Sequence, residues 1–122
     1  VKDFHYLPAE GIWRSIPNPD SHFEILVAGD STEPNSAHMV FLGELLPHLE
    51  DVRLRAIGYL TVFTNPALKP DWFFEALHIT GDFATEFELS FSLESDIYGD
   101  WRVGFYTINQ HFEPDSFSRT QR

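Results

Sequence analysis

The chain has 122 residues, no cysteine, 16% aromatic side chains, and 19 acidic against 8 basic residues for a formal charge of −11. Its length and aromatic content describe one folded domain that buries roughly two-thirds of its unfolded surface, and they exclude a disordered chain. The missing cysteines remove disulfides, thiolate nucleophiles and Cys-based metal sites. The charge excludes nucleic acid and anionic membrane surfaces, which are bound through Lys and Arg.

No apolar run reaches the length a bilayer requires without interruption by Arg, Pro or Gly. The opening Val1-Lys2-Asp3-Phe4-His5 lacks the basic-then-apolar order of a secretion signal. A soluble, cytoplasmic protein is expected, forming a single domain over 1–122.

In chain order, residues 12–16 read as a weak strand. Residues 23–28 read as a second, with Phe23, Ile25 and Val27 on one face. A helix is predicted over 36–46, extending toward 50. Asn35 or Ser36 caps it, and Met39, Leu42, Leu45, Leu46 and Leu49 make an apolar stripe. Pro47 should kink or end it near Leu46. Residues 52–64 alternate Val52, Leu54, Ala56, Gly58, Leu60 and Val62 against Arg53, Arg55, Ile57, Tyr59, Thr61 and Phe63. That is the pattern of a strand ended by Asn65-Pro66, with a helical phase through Leu49, Val52, Ala56 and Leu60 as its rival.

From Trp72 to Thr80, one face carries Phe73, Leu77 and Ile79, and the other Trp72, Phe74, Ala76 and His78. A strand is predicted for 76–80, while Pro70-Asp71 leaves 71–75 open between strand and short helix. Thr80-Gly81-Asp82 reads as a turn. Residues 83–93 give the clearest period-2 alternation, 94–100 a turn-rich connection, and 101–108 a further strand. The order β-β-α-β-β-β-β defines an α+β fold. A mostly antiparallel sheet of about five to six strands packs against one main helix.

Three local patterns invite a chemistry. Gly29-Asp30-Ser31, leaving a strand, resembles the nucleophile block of GDSL-type esterases, but Thr32 stands where that family has Leu. No Asp-x-x-His pair near the C-terminus completes a triad. Glu44 and His48 lie one helical turn apart with Asp51 beyond, a partial metal-ligand spacing that Pro47 interrupts. Asp96 and Asp100 lack the acidic rhythm of a calcium loop. No catalytic residue, metal site or cofactor is assigned, and an enzyme is not the favoured reading.

Two sets of residues carry the binding expectations. Arg53 and Arg55, sharing one face of the expected 52–63 strand, are candidates for binding a phosphate or carboxylate. Between Pro70 and Trp101 there is no Lys or Arg, while Asp71, Glu75, Asp82, Glu86, Glu88, Glu94, Asp96 and Asp100 all fall there. Trp72, Phe74 and His78 on one strand, with Tyr106 and Ile108 on another, form either a second core layer or an exposed aromatic patch. The partner-binding candidates are therefore Trp72, Phe74, Glu86, Glu88, Asp96, Tyr98 and Asp100.

The stretch Tyr98-Gly99-Asp100-Trp101-Arg102-Val103-Gly104-Phe105, with Phe117-Ser118-Arg119-Thr120-Gln121, resembles the ends of small acidic bacterial domains. Many of these are uncharacterised, and some are immunity proteins against polymorphic toxins. The resemblance implies a binding module that neutralises a basic protein partner. The other readings are a small ligand-binding or enzymatic domain using the arginines or Glu44 and His48, and a homo-oligomeric structural subunit.

Overall fold

The computed structural model describes residues 3–16, 22–64 and 71–121. The expected Asn65-Pro66 terminator lies outside them. Three strands come first: β1 (Phe4–Leu7), β2 (Ile12–Ser15) and β3 (Glu24–Ala28). A helical segment follows, built from α1 (Ser36–Leu45), a 3-10 turn (Leu46–His48) and α2 (Leu49–Phe63). The chain then returns as β4 (Trp72–Ile79), β5 (Phe87–Leu93), β6 (Asp96–Ile108) and β7 (His111–Gln121). The fold is α+β, and its 7-stranded sheet runs in sequence order from β1 to β7.

Every neighbouring pair is antiparallel except β3 and β4, which run parallel with Leu26 opposite His78 and Val27 opposite Ile79. A parallel pair cannot be closed by a hairpin, so the chain must cross from one end of the sheet to the other. The helical segment makes that crossing.

Its sequence explains why it is helical. Asn35 Oδ1 accepts the His38 backbone N–H at 3.2 Å, satisfying one of the free donors of the first turn. Pro47 sits in the 3-10 turn between α1 and α2, so it interrupts the regular ladder without stopping the helical course. Leu45, Leu49, Val52, Ala56 and Leu60 then recur at three- and four-residue steps and are all buried. This corrects the strand expected over 52–63. Val52, Ala56 and Leu60 are all even-numbered, so a four-residue helical step imitated alternation. The other even positions, Leu54, Gly58 and Val62, are exposed.

Both helices bury their apolar stripe on one face of the sheet, against Val27, Leu77, Ile79, Phe87, Leu89, Phe91, Val103 and Phe105. Burying each such side chain contributes about 1.5–3 kcal/mol before entropy is counted. Phe87 and Phe105 stack with centroids 4.9 Å apart, continuing the cross-strand pairing of β5 and β6.

The expected strand over 83–93 begins at Phe87, and Phe83 lies outside it, exposed. The turn-rich reading of 94–100 holds only at Glu94-Ser95, since β6 starts at Asp96. Two strands were not expected. β1 is a short edge. β7 follows a two-residue turn in which Asn109 and Gln110 both have positive φ, the backbone of a I′ hairpin. β7 contains Pro114 and mostly polar residues, which an edge strand tolerates.

Candidate functional site

With both helices on one face, no described element covers the other. Along β4 that face is set by an irregularity. The register with β5 shifts between Phe74 and Ala76, so one extra residue, Glu75, reverses the alternation. Trp72 and Phe74 therefore join Leu77 and Ile79 on the helix side, while Phe73, Ala76 and His78 share the uncovered face. This corrects the face assigned to β4 from alternation alone.

Trp72 packs edge-on against Phe91 and Trp101, and Phe74 stacks on Phe23 at 4.9 Å. Both belong to the partly buried margin of the core rather than to an exposed aromatic patch. They line a hollow on the helix side together with Arg53.

The uncovered face carries two adjoining hollows that share His78. The larger, about 540 Å³, lies over the β3–β4 seam between His22, Glu24, Leu26, Phe73, Glu75, Asp100 and Arg102, with Ala76, His78 and Ser90 as its floor. The smaller, about 280 Å³, includes Glu86, Glu88, Asp115 and Ser116. Together their walls present six carboxylates, Glu24, Glu75, Glu86, Glu88, Asp100 and Asp115, against the single guanidinium of Arg102.

Arg102 is itself held by acids. Its Nε donates to Asp100 at 3.1 Å, and Nη1 lies 3.9 Å from Glu88. At the edge of the same face Arg14 pairs with Glu24. Among the described residues, the ion pairs that line the hollows thus involve fewer guanidinium groups than carboxylates.

His78 is 9% exposed. Its Nε2 faces Ser90 Oγ at 3.0 Å, and Ser90 Oγ lies 3.4 Å from the Ala76 carbonyl. Burial first, then the nearby Arg102 charge, pushes the imidazole pKa down to about 4, with Asp100 opposing. A base that weak at neutral pH does not activate the serine. The pair is a polar floor to the hollow.

The predicted partner-binding residues scatter. Glu88 and Asp100 line the hollows, and Glu86 stands at the rim just before β5. Asp96 is occupied elsewhere: Arg119 donates to both its oxygens at 2.7 and 2.8 Å, and Trp101 Nε1 at 2.9 Å. Those bonds, the Arg119 one foremost, hold its carboxyl below the usual range. Tyr98 is exposed but lines neither hollow.

Arg53 and Arg55 do not share a face, because two residues on a helix lie about 200° apart. Arg53 donates to Glu50, while Arg55 reaches Asp51 at 3.3 Å and the Phe112 carbonyl at 3.1 Å. Their expected joint anion site is not formed.

The remaining motifs have structural explanations. Asp30 accepts the backbone N–H groups of Thr32 and Glu33, an ordinary Asx turn that lowers its pKa. At Gly29 a Cβ would come within 2.7 Å of Trp13 Cδ1 and 2.6 Å of the Glu33 carbonyl, so only glycine fits. Among the described residues, no group of three or more His, Asp or Glu could hold a metal ion, and no helix is long and apolar enough to cross a membrane.

The site residues that sequence reasoning missed are Glu24, Leu26, Ser90 and Asp115. The signal for Ser90 was present: it sits on the polar phase of β5 among large aromatics. For Asp115 no signal existed, since β7 did not read as a strand. No protein-family model matches the chain, and neither curated proteins nor solved structures give a significant match.

Proposed function

We propose that the chain is an acidic protein-binding module that takes a basic protein partner on the uncovered face of its sheet, in the manner of an immunity or inhibitor protein. One observation carries this reading: six carboxylates surround two adjoining hollows, and the one guanidinium among them is already paired. Such a field draws a cationic partner in faster than diffusion alone allows and rejects acidic competitors. The formal charge of −11 reinforces it at longer range.

The test begins with a basic protein captured from a lysate at low salt and released at high salt, then identified and purified. Association rates with that protein are measured by stopped flow. Replacing Glu86, Glu88 and Asp115 with Gln should slow association about tenfold or more at low ionic strength. An equal charge change at Glu10, Glu44 and Asp82, which line neither hollow, should slow it far less. Equal effects from the two sets, or a rate indifferent to salt, defeats the proposal.

A further inference from the structure

The floor of the larger hollow holds a group that the carboxylate count leaves unexplained. His78 is more than nine-tenths buried, yet only its Nε2 has a partner among the described residues, Ser90 Oγ at 3.0 Å. Ser90 has one proton, and the Ala76 carbonyl 3.4 Å away can take it, in which case Ser90 Oγ accepts from His78 Nε2–H at 3.0 Å. That choice of tautomer places the lone pair on Nδ1. The ring therefore offers an acceptor at the bottom of an acid-walled hollow, and the hollow calls for a donor.

We infer that the hollow over His78 is the anchor pocket for one arginine side chain of the basic partner, an assignment that rests on the binding face proposed above. The acceptor-bearing side chains come from three separate strands: Glu24 on β3, His78 on β4 and Asp100 on β6. Arg14 engages Oε1 of Glu24 and Arg102 engages Oδ2 of Asp100. Among the described residues, no hydrogen bond reaches the second oxygen of either carboxylate. A guanidinium carries five N–H groups in one plane and can meet acceptors spread in this way, whereas a lysine ammonium is a point charge. Leu26 and Phe73 give the aliphatic stem an apolar wall. With its pKa held near 4, the imidazole stays neutral and does not repel the incoming cation.

The test uses protein carrying 15N-labelled histidine and a small probe, N-acetyl-arginine amide, followed by NMR. The probe should shift the His78 Nδ1 resonance saturably. The citrulline analogue, neutral but of the same shape, should not, and the lysine analogue should bind at least threefold more weakly. Asp100→Asn should weaken the arginine probe about tenfold, the loss expected for one charge-assisted hydrogen bond. His78→Phe, followed through the backbone amides of Ala76 and Ser90, should weaken it by a similar factor. No shift with the arginine probe, an equal shift with citrulline, or equal affinity for lysine overturns the assignment. A basic protein that obeys the face-charge test yet leaves Nδ1 unmoved overturns the anchor and spares the binding face. A saturable arginine response without any salt-dependent partner does the reverse.

Discussion

His78 couples the chemistry of the open face to the stability of the fold. Its folded-state pKa of about 4 lies below the ordinary 6.5, so the unfolded chain binds more protons between those values. The stabilisation is complete above pH 6.5 and is lost as pH falls from 6.5 toward 4, with a full size on the order of 3 kcal/mol. Denaturant melts of wild type and His78→Gln across that window should show a decline in wild type that the variant lacks. The same slope in both proteins would remove His78 as its source. This residue was visible in the sequence, but on the wrong face. Alternation grouped it with Trp72 and Phe74, and the single extra residue at Glu75 separated them. A bulge leaves no mark in the apolar pattern, because one residue more is still a plausible strand.

Among the elements, α2 shows most clearly what a periodic pattern can and cannot say. Residues four apart are also an even number apart, so a helix with a strict four-residue step mimics a strand on half its positions. The positions between decide the matter. Leu60→Ala, at a fully buried site facing the sheet, should cost about 2–5 kcal/mol, whereas Leu54→Ala should change stability by less than about 0.5 kcal/mol. Comparable losses at the two sites would contradict the helical packing. Other elements were legible where the sequence stated pattern and an end, as in α1 with its Asn35 cap, or in β5, whose alternation and close at Leu93 were read while its start was placed four residues early. β7 was not, since an edge strand buries little and needs few apolar residues. With β7 went the recognition of Asp115, and with α2 went the supposed pairing of Arg53 and Arg55.

For the whole molecule, the sheet divides unevenly about its one parallel junction. β1 to β3 contribute Trp13 and Val27 as buried apolar side chains, while β4 to β6 contribute Ala76, Leu77, Ile79, Phe87, Leu89, Phe91, Leu93, Val103 and Phe105. Local opening free energies follow buried apolar contact, so the first three strands should open more readily than the later ones. Hydrogen exchange should show weaker amide protection in β2 and β3 than in β5 and the 101–105 part of β6. Uniform protection across the sheet would contradict this division. The acidic surplus that was legible as bulk charge belongs to both parts, since Glu24 comes from the first and Glu88, Asp100 and Asp115 from the second.

The junction also runs under the larger hollow, where Leu26 on β3 lies beside His78 on β4. Any occupant touching both walls spans the junction between the sparsely and the richly buried parts of the sheet, and acts on it as a rivet acts on a lap joint. Part of the energy of docking is then spent holding the two halves together. Occupancy becomes readable as mechanical strength: the first three strands, expected to open first in the free protein, should be the ones that docking tightens most.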